Sequence, residues 1–182
     1  MAQATANRDK AKTVKDTRQV ARDKTAKQLA DAQAAQKAHK TQGDDWGKRS
    51  SFRSEQVSLL RETHRKAKEA LAGIPEDIGL KDAVAKQEQA LAAMDNAFVQ
   101  ARDKTAGHLA NAETFSKQAT AHASALTAAE NAFKAAETAL AAHENTRSEK
   151  DSAVKAAVAD HAAKLAANNT ANSDLTLQSK EQ

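Results

Sequence analysis

The sequence predicts an all-α protein, an elongated helical hairpin or coiled-coil-like bundle with long Ala-rich amphipathic helices. Three observations support this. Ala makes up about a quarter of the 182 residues, and most of the rest are good helix formers such as Lys, Arg, Gln and Glu. Gly and Pro are rare, with five Gly and one Pro, so few points stop a helix. From Val84 onward the large apolar residues recur with a heptad rhythm.

Composition also limits the core. Leu, Ile, Val and Phe number 25 of 182, below the ~20% that accompanies an ordinary core. Burying Ala costs little side-chain entropy but removes only about one methyl group from water. A lone monomer of this composition is expected to be marginal, so helices stabilised in an assembly are the leading expectation. A chain disordered until it meets a surface is the further reading. The net charge of +4 is small for a disordered chain.

Residues 1–42 are expected to form a basic N-terminal helix, because 3–41 hold neither Gly nor Pro. A loop is expected at 43–53, around Gly43, Asp44, Asp45, Trp46 and Gly47, with Ser54 capping the next element. Residues 54–79 read as a short helix and a turn built on Gly73, Pro75 and Gly79. Residues 80–167 read as one long heptad-patterned helix. Ser148 and Asp151 have capping-box-like spacing, which places a break near 144–151. Residues 168–182 read as a polar tail.

In the long helix, Val84, Leu91, Phe98, Thr105, Ala112, Ala119, Leu126, Phe133 and Leu140 occupy one heptad position. Gln87, Met94, Ala101, His108, Phe115, His122, Ala129, Ala136 and His143 occupy the other. About 64 helical residues at 1.5 Å each span roughly 95 Å. Residues 90–108 resemble 125–143 at an offset of five heptads, aligning Leu91 with Leu126 and Phe98 with Phe133. Residues 21–32 also resemble 101–112. Ala-rich helices resemble one another cheaply, so a chance match stays open beside a structural repeat.

Several features are candidate contacts. The interface seam comprises Val84, Leu91, Met94, Phe98, Phe115, Leu126, Phe133 and Leu140, expected to pack against other protein chains, as a homo-oligomer or in a larger assembly. Residues 1–50 carry 12 Lys and Arg against 6 acids. Within them Arg8, Lys12, Lys15, Arg22, Lys37 and Lys40 share an arc of a helical wheel. Such a stripe suits phosphates, which gives the alternative reading of a nucleic-acid- or anion-binding protein. The competing reading is a solvated face, since Ala26, Leu29 and Gln33 interrupt the stripe and no aromatic residue interleaves. Trp46 and Phe52 are the candidate partner anchors, because Trp is enriched at binding hot spots. The plainer alternative is that they close over a helix junction.

Catalytic features are not expected. There is no Cys, and no two His have the i, i+4 spacing of a helical metal site. His143-Glu144-Asn145-Thr146-Arg147 lacks the second His of a zinc-protease motif, and no Gly-rich loop carries a P-loop's Lys and Ser/Thr. No enzyme activity, cofactor, metal or small-molecule substrate is therefore expected. His108, His122 and His143 read as edges of the seam. No apolar run approaches the ~18 residues of a membrane span. Residues 1–10 lack the apolar stretch of a signal peptide, so a cytoplasmic or virion location is expected.

The alternating Ala, Lys, Thr, Asp and Gln of the first helix resemble late-embryogenesis-abundant desiccation proteins, without their 11-residue repeat. The long, aromatic-poor helices are similar in kind to internal, scaffolding or ejection proteins of tailed phages. That likeness is one of composition along the chain and rests on no diagnostic motif. It implies a virion component or an assembly protein.

Overall fold

A computed structural model describes the backbone of residues 2–178 and the side chains of residues 2–172. The protein is all-α, with two long helices and, among the described residues, no strands. Helix α1 spans Ala2–Gly73 and α2 spans Ile78–Gln178. The loop expected at 43–53 is not there, because α1 runs through it without a break. The boundary expected at Ser54 and the break near 144–151 are absent as well. Helix α2 also continues into residues 168–178, which read as tail, while 179–182 lie outside the described residues.

Local chemistry supports this continuity. Thr is a mediocre helix former because its hydroxyl competes with the backbone. Here the hydroxyls instead donate back to the carbonyl four residues earlier. Thr13 bonds Asp9 O at 3.1 Å, Thr25 bonds Ala21 O at 2.9 Å and Thr105 bonds Ala101 O at 2.8 Å. Among the described residues, the helices are interrupted only at the segment with the single Pro. Asp77 N–H donates to Ile74 O at 3.1 Å, which places Pro75 at the second position of the turn, where its fixed φ fits. Asp77 then caps α2, its Oδ1 accepting the Leu80 N–H at 2.9 Å.

The chain divides into two compact units. Residues 26–124 form one, a hairpin of α1 and α2 around the turn. Antiparallel pairing within it follows from its contacts. Gly43 lies against Leu109, Gly47 against Thr105, and Arg61 Nη2 bonds Asp95 Oδ1 at 3.0 Å. A stripe of covered residues on α1 comprises Leu29, Ala32, Gln36, His39, Gly43, Trp46, Ser50, Arg53, Val57, Leu60, His64, Ala67 and Leu71, with Ala35, Gly47 and Gln56 half-buried beside it. The stripe's spacing alternates between three and four, as does that of an α2 stripe from Val84 to His122, beside which Asp95, Ala97 and Ser116 are also half-buried. Val57, Val84, Ala32, Ala101 and Ala119 are its buried apolar residues, with Ala101 wholly enclosed.

Gly43 explains why a helix tolerates glycine there. A Cβ at this position would stand 3.0 Å from Leu109 Cδ2 and 3.3 Å from its Cγ, so α2 occupies that space.

The second unit comprises residues 1–25 with 125–182. Its described buried apolar residues are Ala4 and Ala136. Ala4, Arg8, Ala11, Lys15, Arg22 and Thr25 are covered on α1, with Leu126, Ala129, Phe133, Ala136, Leu140, His143 and Arg147 on α2. Beyond Asp151, every described side chain of α2 is exposed through Asn172.

Candidate interaction surfaces

The eight seam residues expected to meet other chains are each buried or half-buried. Where their contacts are defined, they are made within this chain. Phe115 stacks on His39 of α1 with ring centroids 5.4 Å apart. Phe133 lies under Arg22 of α1, whose guanidinium carbon is 4.7 Å from the ring centre. The stripe is therefore half of an intramolecular seam, and α1 supplies the surface that covers it.

The basic stripe separates into two sets. Arg8, Lys15 and Arg22, seven residues apart, are half-buried against α2, whereas Lys12, Lys37 and Lys40 are exposed. Lys15 Nζ sits 5.7 Å from the Phe133 ring centre and 3.4 Å from Glu137 Oε1. Arg22 also bonds its neighbour Asp23 at 2.8 Å, as Arg8 bonds Asp9. Arg8 further lines an open cleft of about 330 Å³ with Glu144, Arg147, Ser148 and Asp151. Cations and carboxylates are mixed there, so the cleft has no dominant sign of charge. Long aliphatic stems let these basic residues lie along the seam, where the charged ends of Lys15 and Arg22 sit over the Phe133 ring and still reach Glu137 and Asp23.

Trp46 and Phe52 lie inside α1, not on a loop. Trp46 is half-buried, flanked by Arg49 and Lys104 at 4.8 and 4.2 Å from its ring. Phe52 points away from the seam and is exposed. Trp46 thus helps hold α1 to α2, and Phe52 remains an open apolar side chain.

The histidines have distinct surroundings. His39 Nδ1 lies 3.2 Å from His108 Nδ1 across the seam. His64 Nε2 lies 3.5 Å from Glu88 Oε1, while its Nδ1 and the Gln87 Oε1 are buried without a hydrogen-bond partner. His122 and His143 are half-buried at their heptad positions. Among the described residues, no group of three or more His, Cys, Asp and Glu is placed to hold a metal ion.

The clearest electrostatic perturbations belong to solvent-exposed helix pairs. Hydrogen bonding from Arg65 lowers the Glu62 carboxyl to about 2, and Lys66 adds to the effect. A hydrogen bond from Lys117 four residues on lowers the Glu113 carboxyl. These are intrahelical pairs of the kind that support exposed helix faces. No described helix is long and apolar enough to cross a membrane.

Sequence reasoning missed the α1 seam. Its members include Arg, Lys, Thr, Gln, His, Gly and Ser, so a search for apolar residues passes over it. The signal that could have found it is the spacing of Ala4, Ala11, Leu29, Ala32, Val57, Leu60 and Leu71 on one heptad frame. No protein family, curated protein or solved structure matches the chain.

Proposed function

We propose that this chain is a non-enzymatic structural protein that assembles through its helices, and that residues 151–168 of α2 dock on a second copy of the same chain. One observation carries this reading. Val154, Val158 and Leu165 are 47%, 64% and 52% exposed, on a stretch where every described neighbour is exposed too. The stripe between Val84 and Leu140 is already covered by α1, whereas residues 152–172 have no covered face at all.

Its spacing favours self-pairing. Asp151, Val154, Val158, His161, Leu165 and Asn168 follow one another in steps of three and four that read the same in both directions. An antiparallel copy therefore brings Val154 opposite Leu165 and Val158 opposite His161, with both helices presenting the same stripe. Such an isologous contact closes as a two-fold dimer. Four medium-sized side chains per copy make it a weak interface, suited to an assembly held by many repeated contacts. A place in a phage particle or similar bacterial machine rests on compositional likeness alone.

Sedimentation velocity over a concentration series tests this. The chain should form dimers that dissociate on dilution, and the Val154→Asp, Val158→Asp double variant should remain monomeric with unchanged helicity. Mixing Val158→Cys and His161→Cys chains should give an oxidised heterodimer, because the native sequence has no Cys to compete. A wild-type chain that is monomeric up to millimolar concentration would sink the proposal.

The nucleic-acid alternative is less well supported. With Arg8, Lys15 and Arg22 drawn onto α2, the six cations no longer form one exposed track. Binding to duplex DNA that weakens steeply with salt, and is lost on charge reversal of Lys12, Lys37 and Lys40, would restore it.

A further inference from the structure

Within residues 26–124 the two seams bring one histidine from each helix into direct contact. The Nδ1 atoms of His39 and His108 are 3.2 Å apart, and their rings lie 5.5 Å apart at 35°. Phe115 stacks on His39 with planes 11° apart. Gly43, one turn beyond His39, lets α2 approach closely, with His108 Cβ 3.6 Å from where a Gly43 Cβ would stand.

Two imidazole nitrogens that face each other need an electrophile between them. One proton is a sufficient answer, with one ring donating Nδ1–H and the other accepting. A divalent cation is another. Two nitrogens bound at 2.0–2.1 Å to a tetrahedral ion stand roughly 3.3 Å apart, close to the separation the seam already holds. In the unliganded pair the two Nδ1 atoms point along one line. Chelation requires the two lone pairs to converge on a point off that line, through turns of both side chains that tilt the His39 ring out of its stack with Phe115.

We infer that His39 and His108 form a two-histidine clamp for a divalent transition-metal ion, zinc or copper, joining α1 to α2. Imidazole suits both ions. Among the described residues no third His, Cys, Asp or Glu joins the pair, so water completes the coordination. The clamp exists only when the helices are paired. Metal binding therefore stabilises the paired state, by mass action on the folded form. This inference is independent of the proposed self-assembly and uses different residues.

Thermal unfolding of the full chain, followed by circular dichroism with zinc chloride, reads the stabilisation. Zinc should raise Tm by several degrees, and His39→Gln or His108→Gln should each remove the shift. A His122→Gln, His143→Gln double variant should keep it. Electron paramagnetic resonance of the copper-loaded wild-type chain should show two coupled imidazole nitrogens. This reading decides the question even if a single variant folds poorly. An unchanged Tm with no bound copper, a shift retained in both single variants, or a one-nitrogen spectrum would each overturn the clamp.

Discussion

The two units use the same spacing to different ends. In residues 26–124 the buried apolar residues include Val57 and Val84 beside Ala32, Ala101 and Ala119, and Gly43 permits a close approach. In the unit formed by 1–25 and 125–182, the described buried apolar residues are both Ala, and Phe133 is covered by Lys15 and Arg22. Apolar burial scales with area, so the two buried Val side chains give the first seam a contribution that the buried Ala of the second do not match. Heptad spacing therefore says which residues face inward, while side-chain size sets how firmly each stretch is held.

The largest disruption should come from Val57→Asp, which places a charge at a site only 4% exposed. An uncompensated buried charge costs about 3–5 kcal/mol. Hydrogen exchange should show residues 26–124 losing protection, and retention of protection there would contradict the ranking of the two units. Phe133→Ala should cost less, about 2 kcal/mol, because the ring is half-buried and fully buried Phe→Ala changes cost ~3–5. Part of that loss is the cation–π contact of Lys15 and Arg22, worth roughly 0.5–1 kcal/mol at exposed sites. A double-mutant cycle of Phe133→Ala with Arg22→Ala should return a coupling of that size.

Two glycines sharpen the comparison with smaller effects. Gly107 has open space where a Cβ would stand, so Gly107→Ala should stabilise by about 0.5–1 kcal/mol through helix propensity alone. Gly43→Ala should gain less, because Leu109 must first turn away from a contact at 3.0 Å. Chemical denaturation of both variants checks the order. Equal gains would mean that Gly43 is not needed for close approach.

The smallest effect is a pH response at an exposed pair. The Glu62 carboxyl is held at about 2, below its ordinary value of 4.5, by Arg65. A carboxylate lowered in the folded state contributes its stability above the unfolded value, and loses it as pH falls from 4.5 toward 2. An NMR titration should find the Glu62 midpoint well below 4.5, and an Arg65→Ala variant should bring it back toward that value.

Much of the fold is legible in the residues. Ala abundance and scarce Gly and Pro point to long helices, and Pro75 marks the reversal. The α2 heptad frame, read from Leu91, Phe98, Leu126 and Phe133, coincides with the covered residues. No loop forms at 43–53, although two Gly, two Asp and a Trp in five residues are turn chemistry by local propensity. Tertiary contact overrides that propensity, since Gly43 lies beneath Leu109 and Trp46 beside Lys104. The basic stripe is legible as six cations on one arc, but not as three on the seam and three in solvent. A step of seven residues returns 20° short of a full turn on an ideal wheel, so Arg8, Lys15 and Arg22 follow the seam only when the two helices pack together.

By itself, then, the sequence determined that this chain is helical, that it turns between Gly73 and Gly79, and which stripe of α2 is covered, because propensity and periodicity are local properties. Tertiary structure decided what lies against that stripe: an α1 seam of mixed polar and small residues whose sparse Ala, Val and Leu positions a search for large apolar residues passes over. It also decided that His39 meets His108, residues 69 positions apart in the chain. That meeting depends on the register of one helix against the other, which is set by side chains interlocking along the hairpin and is not written in either helix alone.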